Sequence, residues 1–90
     1  MVSASRGSSI SRVMKVDALL ALGRRDDALA EETRLLATHP TLPYIHVFLG
    51  DIHLAQGDRA AAAARYRQAL SLEPDSRRAR EGLQASLAPP

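Results

Sequence analysis

The residues with the clearest potential for chemistry are two histidines in the middle of the chain, His46 and His53. Imidazole is the commonest metal ligand among side chains. The two residues are seven positions apart, which is about 10 Å along a helix that rises about 1.5 Å per residue. That separation is too large for one ion, and the sequence has no cysteine to complete a site. We therefore expect no metal site.

Two pairs of adjacent carboxylates, Asp26-Asp27 and Glu31-Glu32, have residue types suited to acid–base catalysis. They are better explained as charges at a helix start, where negative side chains suit the helix dipole, and as a solvated helix face. The sequence contains no Gly-rich phosphate loop, no Gly-x-Ser-x-Gly elbow and no His-Glu-x-x-His motif. We therefore predict neither enzymatic activity nor a bound cofactor.

A basic group, Arg77, Arg78 and Arg80, has the charge to contact phosphate or RNA. It lacks the interleaved aromatic residues that stack on bases, and acidic residues flank it. The chain has 12 Lys and Arg against 10 Asp and Glu, a net charge of +2, which does not by itself indicate a nucleic-acid partner. No apolar run approaches the roughly 20 residues that span a membrane. We expect a cytoplasmic protein with neither a nucleic acid nor a membrane as partner.

Alanine and leucine supply most of the apolar residues, which favours helices over strands. The pattern predicts five helices, at about 11–22, 26–38, 43–56, 59–72 and 76–87. Gly23 and Gly57 are expected to end two of them, because glycine adopts a left-handed backbone without penalty. Asp58 and Asp75 are predicted to cap the helices that follow them, and Pro43 suits a first helical turn.

The sequence repeats itself at a spacing of 34 residues. Glycine and proline, which helix composition does not force, recur at this spacing together with several apolar and acidic positions. The matched pairs are Gly23 with Gly57, Ala28 with Ala62, Pro40 with Pro74, Asp17 with Asp51, Leu20 with Leu54, Ala21 with Ala55, and Leu36 with Leu70. The chain is therefore predicted to contain two copies of one helical unit.

The second copy resembles the tetratricopeptide repeat family, whose period is also about 34 residues. The residues that carry the resemblance are the Leu49-Gly50 pair, Ala62, Tyr66, Ala69, Pro74 and the turn from Ala55 to Asp58. His46 and His53 depart from the pattern, since they stand at aromatic core positions, where we expect them to pack. The resemblance implies that Gly50 and Ala62 let the two helices of a repeat approach closely.

The first copy departs further from the family. Lys15-Val16 replaces the Leu-Gly pair, and Glu32 replaces the aromatic residue. Arg12 and Lys15 stand where the pattern would bury apolar groups, and an unpaired buried charge is costly. We therefore expect both side chains to reach solvent and the first turns of this helix to be exposed, frayed or covered by a partner.

The resemblance implies an all-α fold: a right-handed superhelical stack of helix-turn-helix repeats, with about two repeats and a C-terminal capping helix. The predicted organisation is a disordered polar tail at 1–8, for which an organelle transit peptide is the alternative, a degenerate repeat at 9–42, a repeat at 43–76, and a capping helix and tail at 77–90. Ala79, Leu83 and Leu87 are expected to form the apolar stripe of the capping helix. With so few repeats, stability is predicted to be modest.

The family binds ligands on a concave groove lined by the first helix of each repeat. The matching positions here are Val13, Asp17, Leu20, Tyr44, Val47, Asp51 and Leu54. Their spacing places each set on one helix face. An apolar groove with repeated carboxylates suits a peptide or amphipathic helix that carries aliphatic anchors and a Lys or Arg. On this hypothesis, Asp51→Lys weakens partner binding without unfolding the domain.

The resemblance thus predicts an adaptor or scaffold module that binds another protein. Chaperone-binding members of the family hold a C-terminal carboxylate with Lys, Arg and Asn in this groove, whereas the matching positions here carry Val and Asp. That specificity is therefore not expected. The alternatives are self-association, giving a homodimer or structural element, and a piece of a larger repeat protein with no separate ligand.

Overall fold

The structure, a computed structural model, describes residues 8–88, with side chains described from residue 11 onward. Within these residues it contains five helices and no strand, which confirms the predicted all-α fold. The helices are α1 (Ser8–Ala21), α2 (Arg25–Thr38), α3 (Pro43–Ala55), α4 (Arg59–Leu72) and α5 (Arg77–Leu87). The predicted polar tail lies outside the described residues, except that Ser8 begins α1, three residues before the predicted start of that helix.

The chain divides into two compact units, Met1–Pro40 and Thr41–Pro90. In the first unit, α1 packs against α2 as a helical hairpin. In the second unit, α3 and α4 form a hairpin, and α5 packs mainly against α4 and also touches α3. The 34-residue repeat of the sequence therefore corresponds to two hairpins, and the second of them carries an additional helix.

The first unit buries an apolar side of α1 and keeps the charged side in solvent. Val13 and Val16 are buried, so the prediction of exposed first turns is wrong for this side of the helix. Lys15 is exposed as predicted, and its ammonium lies 3.7 Å from the carboxylate of Glu31. Arg34, one turn along α2, lies 3.7 Å from the same carboxylate. These two cations stabilise a carboxylate that is otherwise almost fully buried.

The turns between paired helices follow the predicted chemistry. Gly23 and Gly57 have φ values of 77° and 82°, the left-handed conformation that side chains other than glycine rarely adopt. Asp58 caps α4, because its Oδ1 accepts a hydrogen bond of 3.2 Å from the backbone N–H of Ala61. Pro43 is the first residue of α3, where the missing N–H costs no helical hydrogen bond.

The cap of the last helix differs from the prediction. Ser76, not Asp75, is the N-cap of α5, and its Oγ accepts a hydrogen bond of 3.2 Å from the backbone N–H of Ala79. Ser76 stands directly before the first helical residue with an extended backbone (φ −66°, ψ 110°). Asp75 is one position too early to reach the free N–H groups of the first turn.

The core of the second unit is built around the ring of Tyr66 on α4, which is fully buried. A Cβ placed on Gly50 of α3 would lie 2.7 Å from Cε1 of this ring, and a Cβ on Gly82 of α5 would overlap the ring even more closely. Two glycines therefore make room for the ring, one on each neighbouring helix. Ala62, the other small residue predicted to lie between α3 and α4, is also fully buried.

The buried side of α5 also differs from the predicted stripe. Ala79 is fully buried and Leu83 packs against the core, but Leu87 is 59% exposed. The remaining inner positions are Gly82 and Ser86, whose hydroxyl donates to the carbonyl of Gly82. At about 100° per residue, position i+7 returns to the face of position i, whereas i+8 lies about 80° away. Leu87 is eight residues after Ala79, so it lies off the buried face, and the prediction that it belongs to the apolar stripe is wrong.

Candidate functional site

Asp51 of α3 is the centre of a polar network that joins the three helices of the second unit. Its Oδ1 accepts a short hydrogen bond from the phenolic O–H of Tyr66 on α4. Its Oδ2 accepts one of 2.7 Å from Nη2 of Arg78 on α5, which is also an ion pair. Burial, and then the bond to Asp51, raise the pKa of Tyr66 above its ordinary value, while Arg78 lowers it. Tyr66 therefore stays protonated and remains a donor.

This network changes the predicted role of Asp51. Its charge is balanced by Arg78 inside the unit and is only partly exposed. Asp51→Lys would remove both bonds and place a second cation beside Arg78, and losing a partner of a buried polar group is costly. We therefore expect this substitution to destabilise the unit, contrary to the sequence-based hypothesis that it leaves the fold intact.

A cleft of about 380 Å³ opens beside this network, between the first half of α3 and the connection from α4 to α5. Its lining residues are Tyr44, Val47, Phe48, Glu73, Asp75, Ser76, Arg77 and Arg78. All of them belong to the second unit. The cleft is therefore a feature of that unit alone, and it combines an apolar wall from α3 with a charged wall from the connection and α5.

The apolar wall is an ordered pair of aromatic rings. Tyr44, which is 40% exposed, meets Phe48 edge to face, with ring centroids 5.8 Å apart and an angle of 74° between the rings. The guanidinium of Arg78 lies 6.0 Å from the centroid of the Phe48 ring, within the range of a cation–π contact. Arg78 thus contacts both Asp51 and Phe48, and it links the polar network to the cleft.

The charged wall contains groups without partners. Within residues 8–88, the side chains of Glu73, Asp75 and Arg77 form no hydrogen bond or ion pair, and all three are exposed. Arg78, in contrast, is occupied by Asp51. The charges available to a ligand of the cleft are therefore two carboxylates and one guanidinium.

The seven residues predicted to line a groove differ in burial and in what they contact within their own unit. Tyr44 and Val47 line the cleft, although Val47 is buried and contributes to its floor. Asp51 belongs to the polar network, and half-buried Leu54 packs against the core. In the first unit Val13 is buried, whereas Asp17 and Leu20 are half-buried on α1.

Sequence reasoning missed Phe48 and the connection between α4 and α5. Phe48 follows Tyr44 by four residues, the spacing that brings two side chains together on a helix, so its position could have been recognised. No comparable signal marks Glu73 and Asp75, because only the packing of α4 and α5 brings them to the same cleft as α3.

The other groups considered for chemistry are not assembled into a site. His46 is buried, and Nη1 of Arg65 lies 3.5 Å from its Nδ1. In the part of the chain that the structure describes, no three His, Asp or Glu side chains are close enough to bind a metal ion together. No helix between residues 8 and 88 is both long and apolar enough to cross a membrane.

Comparison with known proteins agrees with the two-hairpin architecture. Two family models, both described as tetratricopeptide repeat, match residues 43–76 and 13–58. The chain is 39% identical over 71 residues to the Hsp70-Hsp90 organizing protein of Triticum aestivum. That alignment covers 79% of this chain but only 12% of the wheat protein.

No solved structure matches the chain significantly. The family models together span residues 13–76, which include most of the first hairpin and all of the second. The chain belongs to the tetratricopeptide repeat family, whose repeats are non-catalytic modules of protein interaction.

Proposed function

We propose that this chain binds a peptide or amphipathic helix of another protein, and that the contact in the second unit is the cleft beside α3. The observation that supports this most directly is the Tyr44–Phe48 pair, in which Tyr44 is exposed and Phe48 is half-buried, at a cleft of about 380 Å³. Tyrosine is enriched among residues that dominate binding energy. An apolar cleft with a few fixed polar groups is the usual form of a binding site.

The first unit contributes less to this proposal. Asp17 and Leu20 are partly accessible on α1 and remain predicted contact residues. Val13 is buried, as is Val47 in the second unit, so these two shape the surface rather than project from it. Asp51 acts by holding Arg78 in place, and not as a free charge.

The wheat relative suggests two partners to assay first, because its name places it with Hsp70 and Hsp90. The positions that would hold a C-terminal carboxylate carry Val13, Asp17, Val47 and Asp51. We therefore propose a partner specificity that does not depend on a C-terminal carboxylate. Amidation of the C-terminus of a bound peptide should leave its affinity unchanged.

The proposal is tested with short peptides selected from a displayed random library against the whole chain, together with purified Hsp70 and Hsp90. Binding is measured by fluorescence anisotropy for wild type, Tyr44→Ala and Leu87→Ala. Leu87 is the matched control, because it is an exposed apolar residue that does not line the cleft. We expect Tyr44→Ala to weaken binding about tenfold, the loss of about 1.4 kcal/mol at a hot spot.

Leu87→Ala should bind like the wild type. Equal affinities for all three proteins would show that the cleft is not the contact surface. Light scattering after size exclusion tests the alternative of self-association. A dimer that Tyr44→Ala disrupts would make a second copy of this chain the occupant of the cleft.

A further inference from the structure

We propose that Glu73 and Asp75, on the connection between α4 and α5, select partners that carry a Lys or Arg next to the apolar residue that enters the cleft. This inference rests on the proposed function and names the chemistry of its partner. Within the second unit, it moves the recognition of a cation away from Asp51, where the sequence predicts it, to a connection outside the first helices.

The argument begins with the charges that are already neutralised. Arg78 lines the cleft, but its guanidinium is 2.7 Å from the carboxylate of Asp51 and also lies beside the Phe48 ring. Arg78 and Asp51 together have no net charge, although the Arg78 side chain is 65% exposed. The positive charge of Arg78 therefore does not make the cleft a site for anions.

The charges that remain favour a basic ligand. Glu73 and Asp75 line the cleft as exposed carboxylates, and within the described residues their side chains have no partner. Arg77 is the one other unpaired charge among the lining residues. Two carboxylates against one guanidinium leave an excess of one negative charge, and complementary charge at the edge of an interface mainly determines which partner is accepted.

The position of these carboxylates determines which residue of a bound segment they select for positive charge. They line the same cleft as the Tyr44–Phe48 pair, on the connection rather than on α3. An apolar side chain against the rings therefore brings the neighbouring residue of a bound segment towards the connection. An exposed ion pair changes affinity by only about two- to fivefold, so the carboxylates act on specificity while the rings supply most of the affinity.

The test uses a synthetic peptide array in which a central leucine is flanked in turn by lysine, glutamate or alanine. Binding to the whole chain is measured for wild type, Glu73→Lys and Glu81→Lys. Glu81 is a matched control, because it is exposed on α5, has no partner within residues 8–88 and does not line the cleft. Both variants change the net charge equally. Glu73→Lys places a cation at the C-terminal end of α4, where positive charge is favourable for the helix dipole.

We expect wild type and Glu81→Lys to prefer lysine over glutamate peptides by about two- to fivefold. Glu73→Lys should abolish or invert this preference, and added salt should weaken it in the wild type. An unchanged preference in Glu73→Lys, or a preference of the wild type for glutamate, would overturn the inference.

The Tyr44→Ala variant distinguishes failure of the inference about charge from failure of the proposed function. If Tyr44→Ala weakens peptide binding while Glu73→Lys behaves like Glu81→Lys, the cleft is the contact surface and only the inference about charge is wrong. If no peptide binds, or if Tyr44→Ala has no effect, the proposed function fails and this inference fails with it. If dimerisation of the chain and peptide binding compete for the cleft, the inference is also overturned, since a second copy would then be the occupant.

Discussion

Gly50→Ala is the substitution whose effect on stability the structure determines most clearly. The added Cβ would lie 2.7, 2.8 and 2.9 Å from Cε1, Cζ and Cδ1 of Tyr66. Carbon atoms prefer a separation of about 3.5–4.0 Å. The ring has no free space to move into, because it is fully buried and Gly82 closes on it from α5.

Two effects of opposite sign decide the outcome. Replacing glycine by alanine inside a helix stabilises it by about 1 kcal/mol. Overpacking a filled core costs about 1–3 kcal/mol. We therefore expect Gly50→Ala to lower the free energy of unfolding by about 1 kcal/mol, which lowers the Tm of a domain of this size by about 4–8 °C.

Thermal and urea unfolding of the whole chain, followed by circular dichroism, measures this effect. Gln84→Ala, at an exposed position of α5, is the control and should stay within about 0.5 kcal/mol of wild type. A higher Tm for Gly50→Ala would refute the reasoning, because helix propensity alone predicts that result.

Two further predictions concern single hydrogen bonds of the second unit. Ser76→Ala should lower the free energy of unfolding by about 1 kcal/mol through loss of the α5 cap, and urea midpoints should show no such loss for Asp75→Ala. Tyr66→Phe should cost about 1.5–3 kcal/mol, because its O–H donates to the charged Asp51. Folding raises the pKa of Tyr66 above 10.0. The free energy of unfolding should therefore also fall as the pH rises above that value. The urea midpoint of Tyr66→Phe should fall less than that of the wild type over the same pH range.

The turns at Gly23 and Gly57 and the start of α3 were predictable because local residues determine them. Gly23, Gly57 and Pro43 act on their own backbone, so their recurrence and position in the sequence indicated where helices end or begin. The inner face of α5 was not predictable in the same way. Gly82 has no apolar side chain to mark it, and its role depends on a ring of another helix, Tyr66.

The site was less predictable than the fold, because its charges depend on residues far apart in the sequence. Asp17 and Asp51 are equivalent in the 34-residue repeat, but the partners of Asp51 are not repeated. Glu32 stands 34 residues before Tyr66, and Tyr44 stands 34 residues before Arg78. The equivalence of the two aspartates therefore does not extend to their partners, and the sequence could not show that Asp51 is neutralised.

The most direct test of the account is a titration of the isotope-labelled chain with a selected peptide, followed by backbone amide shifts in NMR spectra. We predict that the largest shifts fall at the lining residues of the cleft, on α3 around Tyr44 and Phe48 and from Glu73, on the connection, to Arg78 in the first turn of α5. Shifts confined to other surfaces, such as the exposed face of α4 around Arg67, would contradict the claim that this cleft binds the partner.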